Sequence, residues 1–406
     1  MLRSLFVDLN SYFASVEQQL DPMLRGRPIA VVPVMADTTC AIAASYEAKR
    51  FGVTTGTIIA DAKRMCPDLV LVQAQHGAYI DYHHRIVEAV ESVIHVKAVK
   101  SIDEMVCELT GSAQQEARAR AIAEDVRATI ATKVGECLRC SIGIAPNDYL
   151  AKTASDMQKP NGLVVIHQED LPQVLHKLEL RDLNGIGKKM HQRLYRKGIF
   201  SVEQLCASTK EALRDVWGGI EGERFWMSLR GEQVERGPTT KTTVGHSHVL
   251  EPALRSIEGS SAVLHRLLQK AAMRLRQYEL ATANIAVSVR STSGSRWKAD
   301  VNITPTQDTM QLTQVLQRMI EARTDIGTIP MKVSISLNHL SPIDAIPVPM
   351  FENTGPSRQP LNDALDKLNK KYGKNTLYVG SAHDGRNSAP MRIAFTHIPD
   401  LETDED

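Results

Sequence analysis

The chain has 406 residues, 43% of them hydrophobic, which is enough for about two to four domains that each bury a core. No run approaches the ~18 apolar residues of a membrane span, and Asp8 and Asn10 stand where a signal peptide needs an apolar core, so we expect a globular, cytoplasmic protein with no membrane partner. The formal net charge is only +1, but residues 241–340 hold 12 Lys and Arg against 7 Asp and Glu. Because local charge sets phosphate affinity, this average does not exclude nucleic-acid binding.

The first 165 residues predict an α/β layer built on a central sheet. Helical patterns at 11–20 and 114–133 alternate there with strand-like apolar runs, namely LFVDL, PIAVVP, AVKSIDEMVCEL, LRCSIGIA and GLVVI. Residues 166–235 change to short helical segments with glycine breaks, which predicts a small helical domain.

The region after a polar linker at 236–243 predicts a second, α+β domain over 244–342. Its pattern is a strand (TVGHSHVL), a helix at 254–278, two strands (ANIAVSVRS and SRWKADVNIT), a helix at 307–322 and a strand (MKVSISLNHL). This β-α-β-β-α-β order predicts a four-stranded sheet with two helices on one face. We expect the remaining tail, 343–406, to be partly disordered or peripheral.

Three carboxylates stand beside two of the apolar strands. Asp8 ends the run Leu5-Phe6-Val7, and Asp103 and Glu104 lie together in the segment SIDEM. Two divalent cations roughly 4 Å apart need shared hard oxygen ligands, which such acids supply. Acids at strand ends also serve as turn residues or helix caps, so the pattern alone leaves both interpretations open.

Five segments together resemble the Y-family translesion DNA polymerases, nearest to the DNA polymerase IV type. They are FVDLNSYFASVE at 6–17, SYEAKRFGV at 45–53, SIDEM at 101–105, CSIGIAPNDYLAKTASDMQKPNG at 140–162 and LNGIGKKMHQRL at 183–194. The resemblance covers about residues 1–340. It implies a right-hand-like polymerase with a palm at 1–165, small fingers inserted at about 20–75, a helical thumb at 166–235 and a little finger at 244–342.

The resemblance also implies the activity and its partners. The implied activity is template-directed DNA synthesis across damaged template, with low fidelity and low processivity. The implied substrates are primer-template DNA and deoxynucleoside triphosphates, and the implied protein is a monomer that associates with the nucleoid. Asp8, Asp103 and Glu104, with the backbone carbonyl of Leu9, would hold two Mg²⁺ ions. The nucleotide would be bound by Ser11, Tyr12, Phe13, Tyr46, Lys49 and Lys159, with Phe13 excluding a 2′ hydroxyl.

The same resemblance assigns residues to DNA. Gly185, Gly187, Lys188 and Lys189 would form a helix-hairpin-helix that contacts backbone phosphates, and Arg290, Arg296 and Lys298 would face the DNA from the little-finger strands. Trp297 would either stack or pack. We expect the charges on the first little-finger helix, Arg266, Lys270, Arg274 and Arg276, to form a solvated face. Lys152 and Arg50 lie near the nucleotide-binding residues in sequence, and each could be no more than a solvated surface charge.

Departures from the family pattern leave some points open. Lys49 stands where the family usually has arginine, and Ala43 where it often has threonine. PVPMF at 347–351 occupies the place of a sliding-clamp peptide but lacks its leading glutamine, and the segment after it resembles the tail of the DNA polymerase V catalytic subunit. A non-catalytic accessory member of the family and a nucleotidyl cyclase are the competing interpretations. The first would lose the acidic triad, and the second would need no DNA grip.

Overall fold

The computed structural model describes residues 1–235, 237, 240–325, 327–346, 358–373, 376–388 and 398. Its Cα positions group into a first unit over Met1–Gly237 and a second over Pro238–Arg392. In chain order, the helices and strands of the first unit are β1 (Ser4–Leu9), α1 (Tyr12–Leu20), β2 (Ile29–Val32), β3 (Ala43–Ala44), α2 (Tyr46–Lys49), α3 (Ile59–Met65), β4 (Val70–Gln73), α4 (His76–Glu91), β5 (Val96–Val99), β6 (Glu104–Glu108), α5 (Glu116–Lys133), β7 (Cys140–Ala145), α6 (Asp148–Met157), β8 (Leu163–Val165), α7 (Lys188–Arg196), α8 (Val202–Ala207), α9 (Lys210–Trp217) and α10 (Ile220–Ser228).

The palm sheet of the first unit has the strand order β5-β6-β1-β7-β8. Every residue of β1 and of β7 is buried, which explains why both strands read as nearly continuous apolar runs. Helix α6 packs across β1 and β7, and Gly143 permits this because a Cβ there would lie 2.0 Å from the carbonyl oxygen of Ala151. The close approach brings one face of α6 to the end of β1.

A second, three-stranded sheet of the first unit has the order β3-β2-β4 and its own apolar cluster, which includes Val53 and Ile59. The thumb helices α7 to α10 instead share one core with α6 and the palm sheet. Phe6, Leu150, Leu194 and Phe225 belong to that core. The thumb is thereby fixed to the palm by continuous apolar packing.

The second unit contains the expected β-α-β-β-α-β order, followed by one further helix. Its elements are β9 (Thr243–Val249), α11 (Ile257–Gln277), β10 (Leu280–Ser291), β11 (Arg296–Thr306), α12 (Thr309–Glu321), β12 (Pro330–Pro342) and α13 (Gln359–Tyr372). The sheet order is β11-β10-β12-β9, and α11 and α12 join the buried residues of these strands in one core. The predicted fold class, α/β and α+β in a multidomain chain, is confirmed.

One expectation about local structure was wrong. The run at 98–109 is not one strand but the end of β5, a turn and β6, because the Lys100 amide bonds back to the Glu104 carbonyl at 2.8 Å. The described part of the tail packs against the rest of the second unit. Arg276 of α11 makes a bidentate ion pair with Asp366 of α13 at 2.6 and 2.8 Å, and Ala382 is fully buried.

Candidate active site

The end of β1 and the start of β6 bring the acidic residues together. The two strands are antiparallel, and Asp8 is the cross-strand partner of Glu104. The Leu9 amide donates to the Asp103 carbonyl oxygen at 2.9 Å, so the Asp103 backbone is also tied to β1. Glu104 opens β6 and Asp103 precedes it in the turn, whereas the sequence had suggested acids at strand ends. Antiparallel pairing places both beside the last residues of β1.

Asp103 lies in the turn between β5 and β6. Its carboxylate accepts a 2.5 Å hydrogen bond from Ser101 Oγ. Burial raises the pKa of Asp103, and the nearby carboxylates of Glu104 and Asp8 act in the same direction, while the Ser101 bond and Lys152 partly oppose them. The mutual repulsion of the three acids therefore favours any cation placed among them.

Two lysines from α6 and the residues just after it lie among these acids. Lys152 Nζ contacts the Asp8 carboxylate, Glu104 Oε1 at 2.8 Å and Asp156 Oδ1 at 3.1 Å. Lys159 Nζ contacts Asp8 Oδ2 and Asp156 Oδ1, each at 2.7 Å. The Lys152 side chain is only 15% exposed, so of the interpretations that the sequence left open, a solvated surface charge does not apply.

The ionisation of this cluster follows from its geometry. Burial alone would lower the pKa of Lys152, but Asp8, Asp156 and Glu104 raise it above its ordinary value. Burial would likewise raise the pKa of Asp156, yet Lys152 and Lys159 hold it below the usual range. Burial would lower the pKa of Lys159 too, but Asp8 and Asp156 raise it above its ordinary value. Both lysines are therefore cationic, and Asp156 is anionic, at neutral pH.

The donor chemistry of the cluster fits a hard divalent cation, since it offers carboxylate oxygens from Asp8, Asp103 and Glu104. Within the described ranges, however, no three His, Cys, Asp or Glu side chains are arranged as a metal-binding group. Asp8 and Glu104 are directed at the Lys152 ammonium, and Asp103 is directed at Ser101. A bound cation would have to compete with that ammonium for the same oxygens.

The N-terminus of α1 follows directly from the acid-bearing strand. Ser11 precedes the helix in the left-handed conformation, with φ 49° and ψ 46°. The first helical hydrogen bond of α1 runs from the Ser15 amide to the Ser11 carbonyl. The amides of Tyr12 and Phe13 come before it in the chain and therefore take no part in the helical bonding. The Tyr12 side chain is buried and donates to the Tyr79 carbonyl at 2.6 Å, which makes its role one of packing. The Phe13 ring is half-buried and stacks on Tyr79.

Helix α2 carries Tyr46 and Lys49, whose side chains lie against each other. Lys49 Nζ is 4.4 Å from the centroid of the Tyr46 ring. Burial lowers the pKa of Lys49, and the charge of Lys159 lowers it further, while Asp8 opposes both. These influences place Tyr46, Lys49 and Lys159 in one electrostatic neighbourhood beside Asp8. Arg50 is exposed.

The thumb residues predicted to bind DNA lie together at the start of α7. Gly185 has φ 90°, a conformation that favours glycine, whereas Gly187 caps the helix with an ordinary φ of −77°. A Cβ at Gly187 would meet nothing within 4 Å, and Lys188 and Lys189 beside it are exposed. A single turn of 3₁₀ helix, Leu180–Asp182, precedes this hairpin instead of an α-helix.

The second unit gathers basic residues on the sheet face away from its helices. Arg290 of β10 is the cross-strand partner of both Arg296 and Lys332, and all three are exposed, as is Lys298. Trp297 points the other way and packs against the core. Like charges directly opposite one another are destabilising, so this row of cations favours an anionic partner.

The charges on α11 do not form the solvated face that was expected. Arg266 is buried, and Arg276 forms an ion pair with Asp366. Sequence reasoning also missed three charged residues, Lys152, Asp156 and Lys332. The first two carried a usable signal, because Lys152 and Asp156 are four residues apart and therefore share one face of a helix, with Lys159 three residues further on.

Comparison with known proteins supplies independent findings. A sequence model described as the impB/mucB/samB family matches residues 7–156, and the model of that family's C-terminal domain matches 241–347. A DNA polymerase IV of Shewanella baltica is 33% identical over 279 residues, covering 68% of this chain and 76% of the relative. A DNA polymerase IV of Bacillus velezensis is 28% identical over 410 residues, covering 96% of this chain and 95% of the relative.

Solved structures agree on the fold. A Y-family DNA polymerase chimera of Dbh and Dpo4 superposes with a TM-score of 0.67 at 21% identity, covering 83% of this chain and 98% of the other. An insertion ternary complex of Dbh DNA polymerase has a TM-score of 0.54 at 22% identity, with the same coverage.

No helix within the described ranges is both long and apolar enough to cross a bilayer.

Proposed function

Since this chain belongs to the impB/mucB/samB family of Y-family DNA polymerases, of the DNA polymerase IV type, we propose that it extends a primer 3′ end opposite damaged template. It is a DNA-directed DNA polymerase acting in translesion synthesis. The observation that carries the assignment of its site is the cross-strand pair of Asp8 and Glu104, with Asp103 adjoining and lysines from α6 around it. Low fidelity and low processivity accompany the small fingers and the separate DNA-gripping unit.

Polymerases of this family depend on divalent metal, and the acids of the site are its ligands in this proposal. Asp8, Asp103 and Glu104, with the Leu9 carbonyl, would hold two Mg²⁺ ions. When bound, such ions lower the pKa of the attacking hydroxyl and neutralise charge on the leaving pyrophosphate. Lys152 keeps the carboxylates close together and charged until metal competes for them.

The nucleotide triphosphate is held by residues around the first turn of α1. The amides at Ser11, Tyr12 and Phe13 face its phosphates, because unpaired N–H groups at a helix start favour anions. Tyr46, Lys49 and Lys159 add a hydroxyl and two cations on the other side. Phe13, stacked on Tyr79, presents a half-buried ring that excludes a 2′ hydroxyl and so selects deoxynucleotides.

The primer-template is gripped at two places. The thumb offers Gly185, Gly187, Lys188 and Lys189, and the little finger offers Arg290, Arg296 and Lys298, to which we add Lys332 because it is the cross-strand partner of Arg290. All are suited to phosphate contacts that do not read sequence. We further propose a monomer that works at the nucleoid in the cytoplasm. The candidate clamp peptide at 347–351 lies outside the described residues.

Primer extension tests this function. The wild type, with an undamaged primer-template, Mg²⁺ and four deoxynucleotides, should extend the primer, and Asp103→Ala should abolish extension while retaining DNA binding. Asp125→Ala, which removes an exposed acid from α5, is the matched control and should extend normally. Extension by Asp103→Ala would contradict the metal assignment. Tight DNA binding without extension by the wild type would instead favour the accessory role.

A further inference from the structure

The ring that supports Phe13 is itself fixed by a buried carboxylate. Phe13 and Tyr79 stack with their centroids 4.4 Å apart and an interplanar angle of 15°. His76 meets both rings edge-on, at 6.4 and 5.9 Å. Aromatic pairs occur over a range of offsets, with ring centroids about 4.5–7 Å apart, so stacking alone does not fix the position of a ring. The orientation of Phe13 therefore depends on what holds Tyr79.

Glu17 of α1 holds the far end of Tyr79. The Tyr79 hydroxyl donates to Glu17 Oε1, and Gln75 Nε2 donates to Glu17 Oε2 at 2.9 Å. Both carboxylate oxygens thus accept from neutral donors. At the other end of the same residue, the Tyr79 carbonyl accepts from the Tyr12 hydroxyl at 2.6 Å. Tyr79 is therefore bonded to α1 through its backbone and through its ring.

The placement of Glu17 is costly for a purely structural residue. Glu17 is 2% exposed, and burial raises the pKa of its carboxyl. No described lysine, arginine or histidine forms an ion pair with Glu17, and neutral hydrogen bonds only partly return the solvation that a buried acid loses. An apolar pair of similar volume is often as stable or more so. What such an acid adds is direction, because a hydrogen bond defines the position of the Tyr79 hydroxyl where an apolar contact would not.

We propose that Glu17 is a positioning residue for sugar selection: through the Tyr79 hydroxyl it fixes the ring on which Phe13 stacks, and so sets how closely Phe13 approaches the 2′ carbon of the incoming nucleotide. This rests on the proposed function, in which Phe13 is the sugar gate. The gate needs positional accuracy of about 0.5 Å, which stacking without an anchor does not supply. Glu17 itself contacts no part of the nucleotide in this scheme.

The test measures kcat/KM for a deoxynucleotide and for its ribonucleotide counterpart, each opposite the same template base. Glu17→Leu removes the acceptor, and Tyr79→Phe removes one oxygen atom while retaining the stacked ring. Both should raise the relative use of ribonucleotide about tenfold, since an anchoring hydrogen bond to a charged group is lost. The relative use of ribonucleotide by Glu17→Gln, which can still accept from Tyr79, should stay within about threefold of the wild type. The control Glu88→Leu, which removes an exposed acid from α4, should stay within the same range.

The double variant Glu17→Leu/Tyr79→Phe should be no less selective against ribonucleotide than the less selective of the two single variants. Each single change already removes the one hydrogen bond that the two residues share. Unchanged selectivity in Tyr79→Phe would overturn the proposal, and this variant decides the matter if Glu17→Leu does not fold. Equal loss of selectivity in Glu17→Gln and Glu17→Leu would also overturn it. Phe13→Ala distinguishes failure of the gate assignment from failure of the role of Glu17. If Phe13→Ala admits no ribonucleotide, the assignment of Phe13 as the sugar gate fails. If Phe13→Ala admits ribonucleotide but Tyr79→Phe does not, only the role of Glu17 fails.

Discussion

Replacing Lys152 with methionine should destabilise the first unit in the absence of divalent metal. The ammonium contacts Asp8, Glu104 and Asp156, and its side chain is 15% exposed against 5% for Asp8. One pair of charges about 4 Å apart is worth about 4 kcal/mol at an effective dielectric constant of 20. Removing one partner of a buried pair costs about 3–5 kcal/mol when measured. We take about 3 kcal/mol, because Glu104 and Asp156 keep partial contact with solvent.

Thermal unfolding followed in a chelating buffer measures this loss. A decrease of about 3 kcal/mol corresponds to about 6–12 °C in the melting temperature of a unit of this size. Lys197→Met is the matched control, because Lys197 and Asp215 form an ion pair of similar length whose side chains are 54% and 66% exposed. An exposed pair contributes at most about 1 kcal/mol, so this variant should melt within about 4 °C of the wild type.

Adding Mg²⁺ supplies the second half of the test. Without the competing ammonium, the carboxylates should bind the cation more tightly, and each tenfold gain in affinity adds about 1.4 kcal/mol of stabilisation at saturating metal. The rise in melting temperature on adding Mg²⁺ should therefore be larger for Lys152→Met than for the wild type. Equal melting of the two lysine variants in chelator, or equal Mg²⁺ shifts for Lys152→Met and the wild type, would refute this account of the cluster.

Two further changes test the ligand contacts. Lys49→Arg should lower KM for the deoxynucleotide about three- to tenfold in steady-state extension, because a guanidinium binds phosphate through two parallel hydrogen bonds. An unaltered KM would mean that Lys49 does not reach the triphosphate. The double change Arg290→Ala/Lys332→Ala should weaken primer-template binding and reduce the slope of log affinity against log salt by about two, since each phosphate contact contributes about 0.9. A slope equal to that of the wild type, measured by fluorescence anisotropy, would place this row of cations away from the DNA.

Much of the fold could be predicted because apolar periodicity is local. The buried runs at β1 and β7 and the helical pattern of α5 are visible in the sequence, as is the order of elements in the second unit. The turn between β5 and β6 was missed because it contains neither glycine nor proline, and it closes instead through backbone bonds around Ser101. Ser101 and Asp103 are turn-forming residues, but without glycine or proline, the strongest local signals of a turn, they did not interrupt the apolar run.

The site was predictable to a different degree for its acids and its lysines. Asp8, Asp103 and Glu104 stand next to recognisable strands, but the place of Lys152 depends on which face of α6 meets the sheet. That face is set by the close approach of α6 over Gly143 and by its packing on β1, which lies about 140 residues earlier in the chain and which a local pattern does not identify. The fold of the tail against α11 was hidden for the same reason, since its anchor is a pair of charges 90 residues apart, Arg276 and Asp366.

The pairing of Asp8 with Glu104 makes the length of the β5–β6 turn a property of the active site. Side chains alternate between the two faces of a strand, so lengthening or shortening this connection by one residue, with β6 sliding to compensate, would turn Glu104 to the opposite face of the sheet. A substitution at residues 100–102 of the turn need only preserve its shape, whereas an insertion there would remove an acid from the site without altering any residue of it. Tolerance of sequence change and intolerance of length change should therefore coexist over residues 100–102, while Asp103 tolerates neither.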